Sequence, residues 1–384
     1  MIFRKGEFFN GPGGLALGAS WAEVIDSMGE EFRVVHQWSN DICEYACQTY
    51  RNNICSDRPE TVIQGPVQEI DIESLPPIDA FSFGFPCNDY SNVGEKKGME
   101  GEYGPLYSYG VRVLRHHRPQ WFIAENVSGL QSANEGKAFL KILSELEGAG
   151  YDIVPHLYKF EEYGVPQTRH RIIIVGIRRD LNLKFKIPAP THLNQYETAE
   201  RALTEPPIDA EAPNHEFTRH TKKVIEMLDS IPEGGNAWHE AIPEHLRLNV
   251  KGARMSQIYR RLRADAPAYT VTGSGGGGTH VYHWSESRAL TNRERARLQT
   301  FPDDFVFEGG KEKVRQQVGM AVPPLGAKVI VEAILKTFAG IPYEHIEPKW
   351  NIDEMIKNFR EEEKNEEIKK EKEEGQIALS LSEV

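Results

Sequence analysis

Residues 171–176 read Arg-Ile-Ile-Ile-Val-Gly, a β-branched run in which apolar and polar side chains do not alternate. A strand wetted on one face alternates, whereas one covered on both faces does not, so this run demands a sheet with helices on either side. The first half of the chain supplies matching pieces. Phe32 to Val35 and Trp121 to Ala124 read as strands, and Ala80 to Phe85 is an apolar run stopped by Pro86. Glu44 to Tyr50 reads as a helix, and Phe139, Leu140, Leu143 and Leu146 recur at helical spacing before Gly148 and Gly150. The expected fold class is α/β, a mixed and mostly parallel sheet with helices on both faces.

Near Ile187 the texture changes. Proline, polar and acidic residues dominate from Pro188 to Pro213, and periodicity stays poor to about Trp284. Pattern returns at Arg288, with helices expected over Thr291 to Gln299 and Leu325 to Phe338. With 384 residues and roughly 150 per domain, the simplest division is a catalytic domain in two parts, 1–186 and 286–343. A smaller irregular module, 187–285, interrupts it. Residues 344–384 hold 13 acidic and 7 basic side chains, half of the net charge of −12, and are expected to form a solvated tail. The overall acidity therefore does not argue against a nucleic-acid partner. No run approaches 18 apolar residues, the N-terminus lacks an apolar leader core, and four cysteines are too few for a disulfide scaffold. A cytoplasmic protein is expected.

Four short segments carry chemistry. Phe9-Asn10-Gly11-Pro12-Gly13-Gly14-Leu15 clusters glycines where a backbone must turn sharply and approach a ligand closely, and Asp41 follows Gly11 by 30 positions, just past the next strand. An acid so placed can accept the hydroxyls of a ribose, which points to a cofactor containing adenosine. Cys87 follows Pro86 after a buried strand and is either a nucleophile or a small buried apolar residue. Glu125, in Glu125-Asn126-Val127, ends another strand, where α/β sheets gather ligands; a structural salt bridge fits equally well. Arg169 and Arg171 sit two apart on an extended chain and share a face, suited to clamp an anion or carbonyl, although paired surface arginines are the commoner finding. Cys43, Cys47, Cys55 and His36 fit no standard zinc spacing, so no metal is expected.

Together and in this order, these segments resemble the cytosine-5 DNA methyltransferase family, in particular the bacterial modification enzymes. The similarity rests on Phe9 to Leu15, Pro86-Cys87, Glu125-Asn126-Val127 and the Gln167, Arg169, Arg171 set. Two later stretches extend it: Arg288-Ala289-Leu290-Thr291 through Pro302, and Gln317-Val318-Gly319-Met320-Ala321-Val322-Pro323. The chain departs from the family pattern at Asn88, usually glutamine, at Pro66, usually an aspartate on the cofactor adenine, and at Met320, usually asparagine.

The resemblance implies a Rossmann-like domain that uses S-adenosyl-L-methionine. Phe9, Asn10, Gly11, Gly13, Gly14, Leu15, Asp41 and Val322 would hold that cofactor. Cys87 would add to carbon 6 of cytosine, Glu125 would act at ring nitrogen 3, and Arg171 at the ring carbonyl. Arg169 would lie on a phosphate or on the cysteine loop. The target base must leave the helix. Residues 187–285 become a target-recognition domain, with Lys251, Arg254, Arg260, Arg261 and Arg263 placing five positive charges within 13 residues. The loop from Tyr269 to Gly278 would enter a groove. Ser91, Arg254, Arg260, Arg261, Thr272, Gly273 and Gly275 are the expected contacts to double-stranded DNA. The expected enzyme acts as a monomer in a restriction–modification system with a cognate endonuclease that need not bind it. Methylation of tRNA and a non-catalytic DNA-binding relative are the competing readings.

Overall fold

The computed structural model describes residues 1–85, 106–249, 255–365 and 368. Its main sheet holds eight strands: β1 (Ile2–Phe8), β2 (Glu23–Ile25), β3 (Glu31–Asp41), β4 (Val62–Gln64), β5 (Ala80–Phe83), β6 (Trp121–Val127), β7 (Tyr151–Lys159) and β8 (His170–Arg178). Their order is β2-β3-β1-β5-β6-β8-β7, with β4 beside the end of β3. The β1–β3, β3–β4, β1–β5 and β5–β6 pairs are parallel; β2–β3, β6–β8 and β7–β8 are antiparallel. After β1 the chain builds outward on one side through β3, then returns to build β5 on the other. The crevice at the end of β1 is therefore the topological switch point, where open α/β sheets take their ligands.

Both faces are covered, as the isoleucine run requires. On one face Phe8, Phe81, Phe122, Ala124, Ile172 and Ile174 pack with α3 (Tyr107–His117) and α4 (Lys137–Gly148). On the other Phe3, Trp121, Ile123, Ile173, Val175 and Ile177 share a cluster with Leu15 of α1 (Gly14–Ser20) and with Ala327, Ile330 and Ile334. A helix, α2 (Glu44–Ile54), follows β3. In α4 it is Ile142, with Phe139, Leu143 and Leu146, that lies fully in the core, while Leu140 is half-buried.

The segment 187–285 is sparse in regular structure, with β9 (Ile187–Pro188), α5 (Ala199–Thr204) and α6 (Lys222–Asp229). The later part holds α7 (Asn292–Leu298), α8 (Lys311–Met320), α9 (Pro324–Phe338) and β10 (His345–Ile346). One apolar cluster joins Leu203, Leu262, Val271 and Trp284 to Leu290, Leu298, Phe301, Val314 and Val318. The core of the middle module thus continues across position 285, into residues expected to complete the sheet domain. The apolar helical stretch 311–338 is broken between α8 and α9 and mostly buried, as a core element is.

The expectation of a solvated tail is corrected in part. β10 pairs antiparallel with β9, and residues 352–365 form a helix, α10, laid against α4. Ile356 and Phe359 are 3% and 6% exposed, Trp350 packs edge-on to Phe139, and Arg360 donates to the Ser144 hydroxyl and the Glu147 carboxylate. Charge dominates this stretch, yet its apolar residues repeat at three- and four-residue spacing and find a helix to cover.

Candidate active site

Four strands end in register. Asn40 of β3 pairs with Phe8 of β1, Phe8 with Phe83 of β5, and Phe83 with Ala124 of β6. One residue beyond this row stand Asp41, Phe9, Gly84 and Glu125, the starts of four sequence motifs. Neighbouring strands lie about 4.8 Å apart, so the glycine turn and Glu125 are separated by roughly 10 Å. β8 runs the opposite way, which brings its beginning, and with it Arg169 and Arg171, to the same edge.

On the cofactor side the turn after β1 is tight. Phe9 holds a left-handed φ of 55°, costly for a side chain of that size, and Gly11 and Gly13 follow at 52° and 98°. Asp41 fastens the turn by accepting the Gly11 amide at 2.8 Å, with its other oxygen on the Cys43 amide at 2.8 Å. Burial pushes its carboxyl above the usual range, while those amides pull it down. Each carboxylate oxygen can accept more than one hydrogen bond, so capacity remains for ribose hydroxyls. Asn10 Oδ1 is buried without any hydrogen-bond partner, and a methyl group on Gly11 or Gly65 would meet nothing within 4 Å. Open space and an orphaned acceptor at the switch point fit a bound nucleoside cofactor.

Gly14 and Gly18 serve another purpose. A Cβ on either would stand 2.2 Å from the carbonyl of Val322 or Pro324, so their bareness lets α1 press against the start of α9. This brings Val322, expected near the cofactor, to the glycine turn. Leu15 is 6% exposed and its side chain belongs to the core cluster; only its backbone is left to meet a ligand. Pro66 follows a Gly65 with φ of 150° and offers no carboxylate.

On the catalytic side Glu125 faces Ile173 across the β6–β8 ladder, and Arg171, two residues along, lies diagonally on the same face. Arg171 Nε meets Glu125 Oε1 at 3.1 Å, with both side chains mostly buried. Burial raises the Glu125 carboxyl above its ordinary value, and Arg171 and Arg169 oppose that rise. A methyl on Gly84 would sit 3.1 Å from Glu125 Oε2, and Asn126 Nδ2 donates to the Phe85 carbonyl at 3.2 Å. The segment leading into the Pro-Cys motif is therefore held against the glutamate. Pro86, Cys87, Asn88 and Ser91 themselves lie outside the described residues, as do Lys251 and Arg254.

Two arginines have other roles than the sequence led us to expect. Arg169 is fully buried, which excludes a phosphate contact; the cysteine loop, its other expected partner, lies outside the described residues. Its guanidinium donates to the carbonyls of Val271, Gly319 and Ala321 at 3.2, 2.9 and 2.9 Å, tying the sheet to the middle module and to the end of α8. Arg261 is 5% exposed and donates to four carbonyls, those of His283, Leu228, Ile231 and Glu286. It knits the module together and is not available to DNA.

Arg260 stays accessible, its guanidinium 4.6 Å above the Tyr269 ring, in a cleft also lined by Thr168, Arg263 and Thr270. Thr272 is exposed, and Gly275 takes a φ of 118° that favours glycine. Gly273 is pressed on α8, where a Cβ would lie 2.8 Å from the Gln316 carbonyl. Gln167 is wholly buried at the seam between the sheet and the module: it accepts the Val271 amide at 2.8 Å and donates to the Leu298 carbonyl at 3.1 Å.

Sequence reasoning missed a buried network beneath the glycine turn. Lys5 Nζ reaches Glu7 at 2.6 Å and the Ser82 hydroxyl at 2.8 Å, and the Tyr50 hydroxyl donates to Glu7 at 3.2 Å. Only the spacing of Lys5 and Glu7, two apart on one strand face, could have signalled it.

The family model described as C-5 cytosine-specific DNA methylase matches residues 3–336. The chain is 66% identical over 363 residues to the type II methyltransferase M.BbvI of Brevibacillus brevis, covering 92% of this chain and 96% of that one. It is 40% identical over 350 residues to M.NgoFVII of Neisseria gonorrhoeae, with 88% of each chain covered. Its fold matches a DNA modification methyltransferase encoded within an E. coli prophage with a TM-score of 0.67 at 22% identity, over 87% of this chain and 99% of that one.

Proposed function

The chain belongs to the C-5 cytosine-specific DNA methylases, a family that takes its methyl group from S-adenosyl-L-methionine, and from that membership we propose how its own residues divide the work. The observation that carries the reading is the row of strand ends, which sets Asp41, Phe9, Gly84 and Glu125 side by side.

Phe9, Asn10, Gly11, Gly13 and Asp41 hold the cofactor, with Gly14 and Val322 closing the wall behind it. When bound, the cofactor supplies an electrophilic methyl group on a sulfonium. Cys87 attacks carbon 6 of the cytosine as a thiolate, which makes carbon 5 nucleophilic; once carbon 5 carries the methyl group, its proton passes to water and the carbon 6–sulfur bond breaks, returning the thiolate. Glu125, whose buried setting raises its carboxyl above the ordinary value, donates at ring nitrogen 3. Arg171 fixes Glu125 and serves the ring carbonyl, where negative charge gathers. Arg169 is a positioning residue that sets the recognition module against this edge. The chain gathers the atoms that act on the base at one edge of the sheet, and the base reaches them only after leaving the duplex, at a cost of a few kcal/mol.

Residues 187–285 select the site, with Arg260, Thr272, Gly273 and Gly275 facing DNA; Ser91 and Arg254 complete the set. The names of its relatives favour a type II restriction–modification system, in which the enzyme works in the cytoplasm as a monomer and its endonuclease partner acts separately. Trapping on a duplex containing 5-fluorocytosine tests the chemistry. We expect a covalent adduct that Cys87→Ser abolishes while DNA binding persists; an adduct that survives that change refutes the role of Cys87. A parallel reaction with tRNA should give no product.

A further inference from the structure

Beside the recognition loop lies a group of cations with little counter-charge among the described residues. Arg295 of α7 is 2% exposed, and its guanidinium reaches His280 Nδ1 from Nη2 at a long 3.4 Å. Arg315 of α8 points into the same narrow cleft, and its Nε is buried with no partner. The carboxylate paired with it, Glu312, stands at 3.9 Å and is 84% exposed. Glu294, next to Arg295 in sequence, is committed to Arg288 through two 2.8 Å contacts. Glu216 lines the cleft but forms an ion pair with neither arginine, and Lys311 closes one side with its ammonium on the Phe217 carbonyl. Burial and Arg315 pull Arg295 down to about 10, and burial with both arginines holds His280 at about 4. Buried cations persist when something pairs with them. Here, among the described residues, Arg315 has only an exposed carboxylate at the limit of an ion pair, and Arg295 has none.

The cleft adjoins the glycine loop. Arg315 and Gly319 are four apart on α8 and share a face. A Cβ on Gly319 would lie 1.9 Å from the Gly273 amide nitrogen, so the loop is rooted on that same face. We propose that Arg315 and Thr218, with Arg295 and His280 buried behind them as a fixed electropositive floor, form a phosphate site at the mouth of this cleft that takes one phosphodiester group of the DNA strand running past the loop. The site itself follows from the poorly paired cations; only the source of the phosphate rests on the DNA reading above.

The test uses the full chain. Inorganic phosphate, titrated against chloride at constant ionic strength, should raise the melting midpoint of the wild type and leave Arg315→Met unmoved. Duplex binding measured against salt should give a slope of log K on log[salt] shallower by about 0.9 in Arg315→Met, the share of one phosphate contact. Arg315→Lys, which keeps the charge, should restore most of that slope. Arg315→Met should still methylate at low salt and saturating duplex. The absence of both phosphate binding and a slope change overturns the site, and retained methyl transfer then leaves the cytosine chemistry standing. Phosphate binding with an unchanged slope overturns the DNA strand as its source and assigns the site to free phosphate. Failure of the wild type to methylate any cytosine duplex would instead sink the underlying reading.

Discussion

In the role proposed for it, Glu125 must be a carboxylic acid at the moment it donates and must stay beside Arg171, which favours the ionised form. Burial settles the competition by raising the carboxyl above its ordinary value. Because the protonated form is the active one, the single-turnover rate should fall as pH rises through that raised value. Glu125→Gln should give a low rate that no longer depends on pH in this range. A pH-dependent loss that persists in Glu125→Gln would assign the titration to another group. For Arg261 the expected effect is on stability. Arg261→Met strands carbonyls of Leu228, Ile231, His283 and Glu286, and should cost about 1–3 kcal/mol in urea unfolding with the methylated sequence unchanged. Arg260→Ala should do the reverse, weakening duplex binding at unchanged stability.

Among the elements, α1 depends on two missing side chains. Gly14→Ala drives a methyl into the Val322 carbonyl, so α1 and the segment entering α9 must part. We expect a loss of about 1–3 kcal/mol in stability, the usual range for overpacking, and at least tenfold weaker cofactor binding by calorimetry. The strands show how far a sequence speaks for itself. The isoleucine strand was readable because burial on both faces leaves an unbroken apolar run. β1, the central strand, was not, because Lys5, Gly6 and Glu7 interrupt it. Its charges pair with each other and are completed by Ser82 and Tyr50, from distant parts of the chain, and Gly6 makes room for Trp38, which a Cβ would approach to 2.5 Å. The motifs were legible in order and their gathering at one edge was inferable. The roles of Arg169 and Arg261 were not, since two guanidinium groups spent on backbone carbonyls look, in sequence, like any basic pair.

For the whole molecule, one core spans the middle module and the segment from Leu290 to Val318, and Arg169 fastens both to the sheet. The C-terminal helix adds a further layer on the cluster that holds Phe85 and Leu106, the residues flanking the Pro-Cys segment. Ending the chain at residue 349 removes Ile356 and Phe359 from that layer. At about 1.5–3 kcal/mol for each buried side chain the expected loss is about 3–6 kcal/mol, visible as a lower melting midpoint. An unchanged midpoint would mean that α10 adds nothing to the core beneath it.

The lysine and glutamate under the glycine turn carry a consequence for how such a chain can drift. Replacing one strands the other as a lone charge in a dry interior, at about 3–5 kcal/mol, whereas an apolar pair of equal bulk can be nearly neutral. Viable descendants should therefore keep both or exchange both, and a lineage caught with one alone would have had to borrow stability from somewhere else first.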